Sequence, residues 1–404
     1  MNNTSIPLDV AAAEDHLMRF LSVEGVTGQE ANIAAAVSDA LKKIGVPESA
    51  IRFDDANKRI PLPTETGNLI VDLPGTRPGP RLLFSTHLDT VPLCAGAKPR
   101  KEGDRIVSDG TTALGGDART GVALLVVVAE TLIKNKLPHP PITLLFTVRE
   151  ESGLHGAREL NPADLGGAAM CINVDGQNAN ELIIGAVGQE NWEVEIKGKA
   201  SHAGVAPDKG ISATLVGALA LAEAHRDGWF GKIVKPDGRG TSNVGIFGGK
   251  DGKPAGDATN VVTDYAFIKG EARSPELVFA GKIAQGYKQA FAKAQALVTD
   301  HEGNVAEVTF SHKVSYPPFE LGKESPVVKR ATKALAILGV QEPVYIFSNG
   351  GLDANWLDKH GVPTITIGAG QAEIHTIKEY VNLVEYEKGC RLGILMATLD
   401  DAAT

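Results

Sequence analysis

The stretch RLLFSTHLD, residues 81–89, decides the fold. Arg81–Thr86 (RLLFST) reads as a short apolar strand, and His87 and Asp89 fall where that strand stops. Three further runs share the form. TLLFTV (Thr143–Val148) leads through Arg149 into Glu150 and Glu151, and MCINV (Met170–Val174) ends at Asp175. PTITIG (Pro363–Gly368) is followed after a short loop by His375. Between the first two strands lies TGVALLVVVAETLI (Thr120–Ile133), a buried helix by length and composition, entered through the glycine-rich turn LGGD that carries Asp117. Strands apolar throughout are expected where helices cover both faces of a mostly parallel sheet, so the fold class is α/β.

Outward from this centre the rhythm changes. Val10–Leu21 reads as an amphipathic helix. In the middle, Asn191–Gly198 alternates as a half-buried strand, followed by a helix at Ile211–Ala224 and strands at Thr241–Phe247 and Ala258–Gly270. A helix over Ser274–Val298 and a strand over Val305–Val314 complete a compact α+β module. The rigid YPPF (Tyr316–Phe319) then breaks the chain before a helix at Ser325–Leu338. The expected organisation is a domain inserted at 190–315, with 1–189 and 316–404 forming one discontinuous α/β domain.

Composition narrows the function. Of 404 residues 43% are hydrophobic, which excludes global disorder, while 5% are aromatic, so burial rests on aliphatic side chains. With 40 Lys and Arg against 49 Asp and Glu the net charge is −9, and no long basic block or zinc-finger spacing occurs, which speaks against nucleic acid as a partner. Cys94, Cys171 and Cys390 are too few and too far apart for a disulfide framework. The N-terminus lacks the basic start and apolar stretch of a secretion signal, and Val122–Ala129 is far below the ~20 residues that span a bilayer. No membrane association and a cytoplasmic location are expected.

Open α/β sheets bind ligands outside the carboxyl ends of their strands, where two histidines and four or five carboxylates would converge here. Imidazole with hard oxygens suits zinc or a similar divalent cation. Two nearby cations would explain how so many carboxylates tolerate one another. His87 and Asp89, two apart, point the same way in extended chain, so Asp89 could hold the outer ring N–H of His87. Glu150 and Glu151 would point in opposite directions, one to metal and one to water or substrate, a division that fits metal-assisted hydrolysis. No G-x-S-x-G elbow supports a serine hydrolase.

STHLDTVP (85–92), TALGGDARTG (112–121), REESGLHGA (149–157), NVDG (173–176), SHAG (201–204) and the distal His375 follow the order of the zinc-dependent M20 metallopeptidases, and resemble most their tripeptide aminopeptidase (peptidase T) branch. The resemblance implies a zinc-peptidase-like catalytic domain with an inserted lid and dimerisation domain, acting as a homodimer. It implies two Zn2+ per subunit, with Co2+ or Mn2+ as alternatives. His87, Asp117 and Asp175 would hold one, and Asp117, Glu151 and His375 the other, with Asp117 bridging. Glu150 would be general base and then proton donor, Asp89 would orient His87, and the Asp117–Ala118 peptide bond would be cis. His202 would stabilise the developing oxyanion, while Arg273 and Asn243 would contact the substrate. Three positions depart from the related pattern: D-D-K is Asp117-Ala118-Arg119, R-G-G-T-D is Asn349-Gly350-Gly351-Leu352-Asp353, and H-G-x-x-E is His375-Thr376-x-x-Glu379. The function expected is release of the N-terminal residue from short peptides. The alternatives are an amidohydrolase of N-acyl amino acids and a metal-retaining binding protein without turnover.

Overall fold

The computed structural model describes residues 6–400 and divides into two compact units, one running up to Ala186 and again from Phe319, the other Val187–Pro318. The outermost residues of the expected α/β domain, 1–5 and 401–404, lie outside the described residues.

In the first unit the four apolar runs are neighbours. Ile142–Thr147, Leu82–His87, Met170–Val174 and Thr364–Ile367 lie side by side, all parallel. The sheet they centre is mixed. Leu69–Leu73 pairs antiparallel with Ile142–Thr147, and Glu181–Ala186 antiparallel with Thr364–Ile367. The flanking strands Ile51–Phe53, Phe319–Glu320 and Val344–Ser348 are short and partly exposed. The central strands are buried along their whole length because both faces are covered. Leu82, Phe84, Leu144, Phe146 and Ile172 enter one hydrophobic cluster, whereas Leu83, Leu145 and Cys171 alternate into another on the opposite face.

The first of these clusters is closed by helices. Val10–Leu21 contributes Leu17 and Phe20, Ala31–Lys43 contributes Val37 and Leu41, and Leu383–Thr398 contributes Leu392 and Leu395. At its centre runs the helix Gly116–Lys134, buried on all sides from Val122 to Ala129, which is why it shows no polar face. Gly121 lets it lie close to the sheet: a Cβ there would collide with the Thr86 hydroxyl and the Val174 carbonyl. A small four-stranded sheet, built from Arg100–Glu102, Arg105–Val107, Tyr380–Asn382 and Gln371–Ala372, stands beside the start of this helix.

The second unit is a five-stranded antiparallel sheet in the order Gly231–Lys235, Gly238–Gly248, Tyr265–Ser274, Gly188–Lys197, Glu307–Tyr316. Ala213–Arg226 and Leu277–Leu297 bury their apolar residues against Trp192, Val194 and Ile196, and Trp192 packs on Tyr287 with ring centroids 4.4 Å apart. One expected strand needs correction. Residues 258–264 are not in it; the strand begins at Tyr265 and continues to Ser274. Backbone groups of the earlier residues serve the SHAG turn instead, with Ala203 N–H donating to the Asn260 carbonyl and Val262 N–H to that of Ser201.

The Gly121 contact yields a direct test. Gly121→Ala should destabilise the protein by about 1–3 kcal/mol, the usual cost of overpacking a tight core. Urea unfolding of the two proteins side by side would read it, and an unchanged midpoint would contradict this packing.

Candidate metal centre

Asp117 sits where the chain turns from the LGGD loop into the central helix. Gly115 takes a left-handed conformation at φ 83°, the Asp117–Ala118 bond is cis, and regular helix begins only after Ala118. The turn is held from outside by one side chain. The Glu379 carboxylate accepts from the N–H groups of Leu114 and Gly115, both at 2.9 Å, and of Asp117 at 3.1 Å. So fixed, Asp117 presents Oδ1 to His87 Nε2 at 3.1 Å and Oδ2 to His375 Nε2 at 3.3 Å.

The other strand-end residues gather on these three. His87 Nε2 is also 3.8 Å from Asp175 Oδ1, and His375 Nε2 is 3.0 Å from Glu151 Oε1. Gln371 donates to Asp175 at 3.1 Å. Potential ligand atoms of His87, Asp117 and Glu151 lie within 4.8 Å of one another. His87, Asp117 and Asp175 are buried, whereas His375 is half exposed on a loop at φ 60°.

Burial and crowding of like charge dominate the electrostatics. Burial, then the Asp117 charge, pushes the Asp175 carboxyl up to about 6. Burial likewise pushes Glu151 up to about 7, against the opposing pull of His375. Glu150, which makes no hydrogen bond through its carboxylate among the described residues, is raised well above the carboxylate range by burial. Its acidic neighbours Asp175, Asp353 and Glu151 add to this, against the opposing pull of His87. Asp117 alone goes the other way, because hydrogen bonds from His375 and His87 overcome its desolvation. The same bonds, from Asp117 and Glu151, lift His375 to about 10. A cluster of imidazole and carboxylate that must otherwise retain protons fits divalent cations, whose charge would replace them.

Two expected geometries are different. Asp89 does not hold the His87 ring by its carboxylate: His87 Nδ1 lies 2.9 Å from the backbone carbonyl of Asp89 and 3.6 Å from Oδ1. The carboxylate is engaged elsewhere, accepting from the N–H of Glu150 at 2.9 Å and of Glu151 at 3.1 Å. Nor are Glu150 and Glu151 in extended chain. The strand ends at Thr147, and Arg149 turns left-handed at φ 54°.

Sequence reasoning missed several buried supports. Glu30, which burial pushes up to about 7, accepts from the N–H of Arg149. Asp353, likewise raised to about 7 by burial, accepts from the Thr147 hydroxyl. Asp353 and Glu379 were visible only as parts of motifs.

The remaining candidates lie in the second unit. His202 is exposed, and its Nδ1 accepts from Gly204 N–H at 3.2 Å and Val205 N–H at 3.1 Å, which leaves the ring proton on Nε2. Arg273 forms a two-pronged pair with Glu271, Nε to Oε1 and Nη2 to Oε2 both at 2.9 Å. Asn243 is exposed and stands across the strand pair from Glu271.

Comparison with known proteins agrees with this architecture. Residues 83–398 match the model of peptidase family M20/M25/M40. The chain is 33% identical over 392 residues to YqjE of Bacillus subtilis (strain 168), described as uncharacterized, covering 96% of this chain and 98% of that one. The solved structure of aminopeptidase PepT from Bacillus cereus ATCC 10987 superposes with a TM-score of 0.83 at 31% identity, covering 97% of this chain and 98% of that one. A tripeptidase from Staphylococcus aureus subsp. aureus Mu50 gives a TM-score of 0.85 at 27% identity, with the same coverage. With its acids and histidines gathered at the ends of the parallel strands and this match over most of its length, the chain belongs to peptidase family M20/M25/M40, related within it to the peptidase T branch.

Proposed function

We propose that the protein is a dinuclear metallopeptidase that releases the N-terminal residue from short peptides. The observation that carries this reading is Asp117, one carboxylate oxygen toward each of two histidines. His87, Asp117 and Asp175 would hold one divalent cation, and Asp117, Glu151 and His375 the other. Zn2+ is favoured by the ligand types, and Co2+ or Mn2+ are chemically acceptable. Bound there, the cations supply Lewis acidity, polarising the scissile carbonyl and making water more acidic.

The side chains do the rest. Glu150 is desolvated among acids and so has a raised proton affinity, which suits a base that takes the proton of the attacking water and returns it to the departing amine. Asp89 aims it by holding its backbone N–H. His202, with its proton on Nε2, is a hydrogen-bond donor of the kind that stabilises an oxyanion. Arg273 and Asn243 would meet the substrate, Arg273 exchanging its Glu271 partner for a substrate carboxylate. Residues 1–189 with 316–404 serve as catalytic domain and 190–315 as lid and dimerisation domain of a homodimer. No helix among the described residues is long and apolar enough to cross a membrane, and the three cysteines are free and buried, in keeping with a cytoplasmic enzyme.

Glu150→Gln should fold and retain metal while kcat falls by at least ~10²-fold, the usual worth of general acid–base catalysis. Assays on di- and tripeptides beside N-acyl amino acids would separate peptidase from amidohydrolase, and normal turnover by the variant would place the base elsewhere. Metal analysis should find about two zinc equivalents, lost together in Asp117→Ala. Because burial pushes Asp175 up to about 6 and Glu151 up to about 7, and hydrogen bonds to Asp117 and Glu151 lift His375 to about 10, metal binding must displace protons from these groups. Zinc affinity should therefore rise from pH 6 to 8, read by competition with a chromophoric chelator, and a flat profile would contradict the ligand set. Sedimentation should find a dimer; a 42.4 kDa species alone would refute it.

A further inference from the structure

The segment before the second helix reaches the turn that carries Glu150. Glu30 immediately precedes the helix Ala31–Lys43 and is fully buried, yet its side chain does not cap that helix. Its Oε1 accepts from Gly28 N–H at 2.6 Å and from Arg149 N–H at 3.1 Å. The next two amides, of Glu150 and Glu151, donate to the two oxygens of Asp89. Three successive N–H groups are thus held by two buried carboxylates. The Arg149 side chain pins the same turn outward, Nε donating to the Thr64 hydroxyl at 2.7 Å, Nη1 to the Ser152 hydroxyl at 3.1 Å and Nη2 to the Pro63 carbonyl. Gly28, at φ 90°, leaves the room this requires, since a Cβ there would strike the Arg149 guanidinium.

We infer that Glu30 is a positioning residue for the reaction: through the N–H of Arg149 it fixes the turn that aims Glu150 and Glu151. A side chain larger than glycine is uncommon in the left-handed region, and a buried amide without an acceptor is costly. Removing Glu30 leaves the Arg149 amide unpaired, and the turn gains by rotating away from its left-handed geometry. The acceptor oxygen, and not the charge, is what the turn uses. This inference rests on the role proposed above for Glu150.

Length and charge can be separated by substitution. Glu30→Gln keeps an oxygen at the same reach, whereas Glu30→Asp keeps the charge on a shorter arm. Expected are kcat within about 3-fold of wild type for the first and a fall of about 10–100-fold for the second and for Glu30→Ala, as for other outer partners of metal sites. KM should hardly change, and zinc is kept saturating throughout, because the same turn carries the proposed ligand Glu151. Hydrogen exchange should show the amides of residues 149–151 opening faster in Glu30→Asp than in Glu30→Gln. Equal impairment of the Gln and Asp variants, or normal kcat in Glu30→Asp, would overturn the inference, and this comparison stands even if Glu30→Ala does not fold. If zinc-loaded wild-type protein cleaved no peptide, the functional reading would fail on its own. Exchange at Arg149 would still decide whether Glu30 holds the turn.

Discussion

Asp117, desolvated and flanked by two imidazoles, is the group around which the first unit is arranged. A buried carboxylate stays ionised only where hydrogen bonds and opposite charge repay its lost hydration. His87 and His375 supply both, which is why Asp117 is held below the carboxylate range while Asp175 and Glu151 beside it are pushed up. The two histidines come from opposite ends of the sequence. Keeping them on one carboxylate therefore requires the strand Leu82–His87, the helix Gly116–Lys134 and the His375 loop to be fixed together. Gly121, tight against the Thr86 hydroxyl and the Val174 carbonyl, is where helix and sheet are locked.

A second layer of acids does not face that centre but holds backbone. Glu379 takes three N–H groups of the Asp117 turn, and Asp89 and Glu30 take those of Arg149, Glu150 and Glu151. The Asp117 turn and the Arg149–Glu151 turn are thus each held by carboxylates that accept main-chain donors. The arrangement satisfies buried amides that no strand or helix pairs, and it concentrates negative charge behind the ligands as well as among them. Burial, with Asp175 and Asp353 for Glu150 and Asp117 for Glu151, raises the proton affinity of both glutamates, and the acidic lining would favour cations over any neutral occupant.

The centre of the sheet and the gathering of acids and histidines at its strand ends were legible because each rests on a local pattern: apolar runs of strand length, each followed by His, Asp or Glu. What escaped had no such pattern. Val344–Ser348 and Gly231–Lys235 are partly exposed, and their residues alternate too weakly to separate them from loop. The left-handed turn at Arg149 hid the true arrangement of the Glu150 pair, because nothing in R-E-E announces a positive φ. Glu30 was invisible for a related reason. An acid ahead of a helix is ordinarily read as a cap, and its actual partner lies 119 positions away.

The three departures from the related motifs fall on supporting turns, and the structure shows how two of them are restitched. Thr376, where the related pattern has glycine, donates its hydroxyl to the Glu373 carbonyl at 2.7 Å and accepts from Lys378 N–H at 3.1 Å, closing the turn between His375 and Glu379. Leu352, where that pattern has threonine, has no hydroxyl to cap the helix Asp353–Lys359; Asn355 Oδ1 instead accepts from the Leu352 N–H at 2.9 Å. Ala118 places an apolar, fully buried side chain directly after Asp117, so this turn carries one charge where the related pattern would carry two. In a cluster where crowding already lifts two carboxyls toward neutrality, one acid fewer eases the ionisation of those that remain. The proposed ligands keep their places through all three changes. What differs is the shape and charge of the turns beside them, and it is there that a substrate preference particular to this chain would be written.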